Sequence, residues 1–334
     1  MRALVLAAGF GTRLRPLTDE LPKPLLPVLG RSLLGRSLEA LAAAGCEAAA
    51  VNLHHRGEAI VAAFGDRWAG VPLTWSREDP ILGTGGALVP LREFFAGAGE
   101  VVVVNGDSLC DWPLAALLAR HRRSGAAATF LLAGRPAPRA FGGGVAVDRR
   151  GRVVALRPGE AFGEPARRFV FAGAHVLSPA LLAGLPAGPS DSMSSIYLPL
   201  LARGGTIASL VTWRPWYDLG TPSRYLEAVL DQADREAGGR WSAPGTPLPA
   251  RARGRCVVEA GAVVAPDAVV ADAVLLPGAR VGAGSRLRRV VVGPGCRVPG
   301  GDWADVLLAA WAPGTSEPAG SRREGDLLVV PLDR

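Results

Sequence analysis

Short apolar runs alternate with stretches of helical spacing over the first part of the chain. Ala3-Leu4-Val5-Leu6 reads as a buried first strand, closed by glycine. A helix over 32–44 follows, rich in Leu and Ala and stopped by Gly45. The pattern then predicts a strand at 47–53, a helix at 57–64 and a strand at 71–75. Val101-Val102-Val103-Val104 is the kind of run that a strand buried on both faces carries. A helix at 114–123 and a strand at 126–132 continue the alternation. Such alternation predicts an α/β domain with a doubly wound, mostly parallel sheet, its ligand lying beyond the carboxyl ends of the strands.

From Val145 the pattern changes to a hairpin, 145–147 and 153–156, around the turn Asp148-Arg149-Arg150-Gly151. Strands are expected at 169–177 and 206–213, then a helix at 222–236 with Thr221 as its N-cap and Pro222 in its first turn. Residues 238–255, rich in Gly, Pro and Arg, read as a linker, so that 1–237 forms the first domain. Beyond it Val258, Val264 and Val270 recur every six residues, and Leu275, Val281 and Leu287 do so after a one-residue slip. This resembles the hexapeptide repeat of a short left-handed β-helix over 256–302, with an ordinary hairpin region as the alternative. Residues 303–334 read as a less regular tail with a strand at 327–332.

Composition changes this picture little. With 49% hydrophobic and 20% charged residues the chain has a sizeable core and is not disordered. The net charge of +7 suits phosphorylated metabolites as well as nucleic acid, and no long basic run or interleaved aromatics favours the latter. Neither a nucleic-acid nor a membrane partner is expected. Cys46, Cys110, Cys256 and Cys296 have no metal-ligand spacing, which predicts reduced thiols in a cytoplasmic protein without structural zinc.

The candidate chemistry begins where the first strand ends, in Leu6-Ala7-Ala8-Gly9-Phe10-Gly11-Thr12-Arg13-Leu14, continuing to Pro22-Lys23-Pro24. Two glycines let the backbone turn tightly and approach a ligand, and successive N–H groups there can cradle an anion. Arg13 adds a fork of donors suited to phosphate oxygens. Of the 37 Lys and Arg residues a single one is lysine, and it is Lys23. A chain so tilted to arginine keeps a lysine where a compact ammonium is wanted. Two acids stand at loop positions: Asp107 in Asn105-Gly106-Asp107 and Asp218 in Trp216-Tyr217-Asp218-Leu219-Gly220-Thr221. Such a pair suits Mg²⁺ carried by a nucleoside triphosphate; equally, Asp107 suits a turn and Asp218 a helix start.

The run from Leu6 to Pro24 resembles, nearly letter for letter, the signature of the sugar-1-phosphate nucleotidyltransferases. That resemblance implies a Rossmann-like catalytic domain, with an NTP and a sugar 1-phosphate as reactants and Mg²⁺ as cofactor. It implies Arg13 and Lys23 as catalytic residues, and Ala7, Ala8, Gly9, Gly11, Thr12, Gly85 and Gly86 against the nucleotide. Asn105, Gly143 and Gly173 would lie near the sugar phosphate, and Asp107 and Asp218 would hold the metal. The acid that the family commonly places before Lys-Pro is missing in Ala155-Leu156-Arg157-Pro158, and Glu160 and Glu164 are out of register.

Asn52-Leu53-His54-His55, Gly83-Thr84-Gly85-Gly86 and Phe171-Ala172-Gly173-Ala174-His175 look like the mannose-1-phosphate guanylyltransferase branch. N-acetylmuramate-1-phosphate uridylyltransferases and glucose-1-phosphate thymidylyl- or uridylyltransferases are the alternatives. A sensor subunit without chemistry would be expected to have lost Lys23, Arg13 or an aspartate, and none is lost. An acetyltransferase in the repeat would want a histidine, yet all four histidines precede residue 176. His54, His55 and His175 are expected to be structural, and Trp213, Trp216 and Tyr217 to fill core or rim. The repeat is expected to serve a homo-oligomer or regulation.

Overall fold

Val101–Asn105 forms the strand that its valines predict, and all four valines are fully shielded from solvent. It pairs in parallel with Arg2–Leu6, which pairs in parallel with Ala48–Leu53, and that strand with Val71–Arg77. The computed structural model describes residues 1–135 and 138–332. It divides into two units: Met1–Gly9 with Leu34–Trp216, and Phe10–Leu33 with the chain from Tyr217 onward.

Among the described residues, the first unit is built on a ten-stranded sheet. Besides the parallel strands it contains Arg167–Leu177, antiparallel to both Val101–Asn105 and Ala128–Ala133, and Ile207–Thr212, parallel to the latter. The expected hairpin forms from Val145–Val147 and Val153–Ala155 and is joined to the sheet through Arg167–Phe169. Helices Leu33–Ala43, Gly57–Phe64 and Leu114–Ser124 lie where the spacing predicts them. Between Val71–Arg77 and Val101–Asn105 the chain forms the single helical turns Gly83–Gly86 and Arg92–Phe95. Pro90 lies between them, and it has no N–H to continue the ladder.

His175 lies mid-strand with its ring among Phe130, Phe171 and Tyr197, and neither ring nitrogen has a hydrogen-bond partner. Burial pushes its pKa down to about 3. The folded protein therefore holds it neutral while the unfolded chain binds a proton below about pH 6.5.

In the second unit, helix Pro222–Ala237 starts at Thr221, whose Oγ1 accepts from the Arg224 N–H at 3.3 Å, and ends at Gly238 in left-handed conformation. The stretch 238–255, read as a linker, contains the strands Arg240–Ser242 and Arg251–Val258. A parallel stack then runs Arg251–Val258, Val269–Leu275, Ser285–Val292, Gly301–Ala310, with Leu327–Pro331 added antiparallel. Val258, Leu275, Val292 and Leu308 face one another in register, 17, 17 and 16 residues apart.

That spacing explains the slip in the six-residue repeat. In successive coils Gly254, Asp272, Arg289 and Asp305 take positive φ of 64°, 49°, 54° and 56° and bend the strand. The two 17-residue coils therefore advance by two hexads and a shorter third step, while the 16-residue coil steps from Val292 through Val298 and Trp303 to Leu308. Val258, Val270, Leu275, Val281 and Leu287 all enter the buried core, with Val264 packed against it. The bends carry charge as well. Arg255 meets Asp272 at 3.2 Å and Asp231 of the helix at 3.1 Å; Arg289 meets Asp305 at 2.9 Å and also Glu227.

Leu275→Ala should cost about 3 kcal/mol of unfolding free energy, because the rungs above and below hold the cavity open; denaturant melts check this. Lowering the pH from about 6.5 towards 3 should reduce stability by up to about 1.4 kcal/mol per pH unit through His175. His175→Phe should flatten that slope in pH-dependent urea melts.

Candidate active site

Parallel pairing sets Leu6 opposite both Asn52 and Asn105, so three strand ends lie side by side in the first unit. The next residue, Ala7, donates its N–H to Asn52 Oδ1 at 2.7 Å. Asn52 in turn donates Nδ2 to Glu78 Oε1 at 2.8 Å, and Glu78 Oε2 accepts the Leu82 N–H at 2.8 Å. Asn52 and Glu78 are only 3% and 4% exposed, so this is a buried polar chain with every link made. It ties the loop at Ala7, Ala8 and Gly9 to the loop that holds Gly85 and Gly86. Sequence reasoning missed Glu78, and took Asn52 only as part of a resemblance. The available signal was a polar side chain closing an otherwise apolar strand.

Gly106 donates its N–H to Leu6 O at 2.9 Å, and a Cβ there would stand 2.9 Å from the same oxygen. Only glycine fits, and the chain then presents Asp107 just beyond the strand ends. Gly173, at φ +80°, lies against the Asn105 side chain, which a Cβ would approach to 3.0 Å. Gly143 lies against Pro158.

Gly85 and Gly86 have a further duty. Both donate their N–H to Ser190 O, at 2.9 and 3.3 Å, and a Cβ on Gly85 would stand 2.5 Å from Ser195 Oγ. The segment 190–195 therefore lies directly on this loop, with Thr84 Oγ1 accepting the Ser192 N–H at 2.9 Å. Asp191 in that segment meets Arg157 at 3.3 Å. Glu160 does not replace the missing acid, because its Oε2 accepts the N–H groups of Leu156 and Arg157.

The second unit carries Gly11, Thr12, Arg13, Lys23 and Asp218. Gly11 is left-handed, and Thr18 Oγ1 donates to its carbonyl at 2.9 Å. A Cβ on Gly11 would stand 3.0 Å from Thr18 Cγ2 and 3.4 Å from Lys23 Cβ, so the tight turn brings Lys23 under the glycine. Lys23 is only 6% exposed. Arg13 is exposed, and its guanidinium lies on Gly220, where a Cβ would stand 3.0 Å from a terminal nitrogen. Asp218, two residues earlier, accepts from Arg224 Nη1 at 2.6 Å. Asp218, expected on a loop, ends the strand Trp216–Asp218, Arg13 lies on the glycine just after it, and Asp107 stands on the other unit.

Residues 2–235 match the model of the nucleotidyl transferase family, and residues 248–304 match that of the GlmU-like C-terminal hexapeptide. The chain belongs to the nucleotidyl transferase family. A mannose-1-phosphate guanylyltransferase of Mycobacterium tuberculosis is 35% identical over 303 residues, covering 90% of this chain and 81% of that one. A uridylyltransferase of Synechocystis, acting on UTP and glucose 1-phosphate by its name, is 30% identical over 249 residues, 71% of this chain and 64% of that one. The fold is also that of HddC from Yersinia pseudotuberculosis, with a TM-score of 0.58 at 22% identity, covering 69% of this chain and 99% of that one. The protein is a sugar-1-phosphate nucleotidyltransferase. Among the described residues no helix is long and apolar enough to cross a membrane.

Gly220→Ala should push the Arg13 guanidinium away; with Arg13 as the phosphate ligand that the resemblance implies, kcat/KM should fall by about tenfold or more. Steady-state kinetics beside a thermal melt checks it; the melt should stay in place.

Proposed function

We propose that the chain transfers a guanylyl group from GTP to mannose 1-phosphate, releasing pyrophosphate. The observation that carries the base and sugar is the likeness to guanylyltransferases across the catalytic and the hexapeptide parts together. A second guanylyltransferase-named relative, from rice, is 30% identical over 89% of this chain. Uridylyl transfer to glucose 1-phosphate is the second reading, and the Synechocystis relative favours it.

In this reading a sugar-phosphate oxygen attacks the α-phosphorus in line and pyrophosphate leaves. Both reactants are already phosphates, so positioning and charge neutralisation carry the catalysis. Ala7, Ala8 and Gly9 line the base and ribose with Gly85 and Gly86. Gly11, Thr12 and Arg13 bind the leaving pyrophosphate, and Lys23 draws the sugar phosphate towards the α-phosphate. Asn105, Gly143 and Gly173 border the sugar phosphate.

Mg²⁺, when bound with the triphosphate, supplies positive charge to the phosphate oxygens. The donor chemistry suits it. Among the described residues no cluster of three or more His, Cys, Asp or Glu forms a metal cage, and Asp107 and Asp218 offer hard carboxylate oxygens. One or two carboxylates beside phosphate oxygens and water is the usual Mg²⁺ arrangement. Asp107 and Asp218 would hold the ion, Asp218 through a carboxylate that Arg224 already orients.

Pyrophosphate release, with four NTPs crossed against a panel of sugar 1-phosphates, tests the reading. Turnover is expected with GTP and mannose 1-phosphate. UTP with glucose 1-phosphate as the productive pair would replace it, and silence of folded protein across the grid would favour a sensor without chemistry. Lys23→Met should cost about 100-fold or more in kcat. Chelation should abolish turnover, and added Mg²⁺ should restore it.

A further inference from the structure

The turn that follows the signature segment is strained. Leu29 and Gly30 take φ of 53° and 74° and join Pro27–Val28 to Arg31–Ser32 as a two-residue hairpin. Positive φ at both positions is type I′ geometry, which Asn-Gly or Gly-Gly adopts readily. Leucine in the left-handed region costs about 1–2 kcal/mol, so surrounding structure has to hold it there.

Residues from the C-terminal strand module do so. The Glu259 carboxylate is 2% exposed, and both its oxygens accept the Gly30 N–H, at 3.2 and 3.1 Å. The Trp241 indole covers Gly30 so closely that a Cβ would stand 3.1 Å from the ring. The neighbouring strand is held too: Tyr225 Oη, on helix Pro222–Ala237, donates to Pro27 O at 2.5 Å. At the other end of the segment, Asp19 accepts the Ser316 N–H at 2.9 Å and the Ser316 hydroxyl at 3.0 Å. Leu17, fully packed, lies on Gly293. Lys23 sits between these two fastenings, and Thr18, whose hydroxyl fixes Gly11, is the neighbour of Asp19.

We propose that Glu259 and the Asp19–Ser316 pair are positioning residues for nucleotidyl transfer, through which the C-terminal module holds the phosphate-binding segment in its working shape. The inference rests on the reading of Arg13 and Lys23 as phosphate ligands. It gives the hexapeptide module a duty within the single chain, distinct from assembly. A buried carboxylate on a backbone N–H is a charge-assisted bond, which is stronger than a neutral one. The exposed Arg31–Glu236 pair nearby, by contrast, contributes little.

Amide hydrogen exchange on the full-length protein tests this without requiring turnover. Glu259→Gln, which weakens a charge-assisted hydrogen bond, and Asp19→Ala, which removes two, should each speed exchange across 17–30 by about tenfold or more and leave Val101–Asn105 unchanged. Steady-state kcat/KM should fall by a similar factor. Adding Leu29→Asn to Glu259→Gln should recover much of both, because Asn-Gly holds the turn without the carboxylate. Unchanged exchange across 17–30 in both single variants would overturn the proposal, as would altered exchange with full kcat/KM. If Glu259→Gln fails to fold, Asp19→Ala decides alone. A wild-type protein silent with every substrate pair would strike the functional reading, while the exchange result would still report on the mounting.

Discussion

A buried carboxylate holding a backbone N–H fixes two loops of this protein, one at each end of the candidate nucleotide-binding segments. Glu78 does it for Leu82 and, through Asn52, fixes the N–H of Ala7. Glu259 does it for Gly30. A carboxylate taken out of water is tolerated only when its acceptor sites are met, and here loop backbone meets them, with the Asn52 amide on Glu78. The loops are thereby held by groups that have no freedom to move. Rigid mounting of this kind is what phosphoryl chemistry asks for, since its catalysis is mostly geometry and charge placement.

Close approach is the second constraint, and it accounts for the individual glycines. Gly106 exists for the Leu6 carbonyl, Gly220 for the Arg13 guanidinium, and Gly85 for the serines of 190–195. The last case changes the meaning of a motif. A glycine loop that reads as a backbone surface for a nucleoside is also the seat of another segment, and that segment carries Asp191 to Arg157.

Much of the fold was legible because its signals are local. The four valines and the Thr221–Pro222 helix start each act within a few residues. The hexad repeat was legible too, with its slip; the left-handed bends at Asp272, Arg289 and Asp305 that cause the slip were not. Arginine carries no local mark of positive φ and aspartate only a weak one, and what accompanies them there is a ladder of ion pairs between coils.

For the candidate site, the sequence by itself determined which residue types stand where: the glycine turn, Arg13, the single lysine, and an aspartate after each of two strands. Those follow from chemistry that a short stretch can encode. Only the tertiary structure decided that Asn52 and Glu78 join two loops, that Glu160 caps backbone while Asp191 meets Arg157, and that Glu259 and Ser316 fasten the segment around Lys23. Apart from Glu160, which caps residues 3 and 4 positions away, those partners are separated by between 26 and 297 positions along the chain. Burial and hydrogen bonding over such distances depend on how the strands pair, and no local pattern records that.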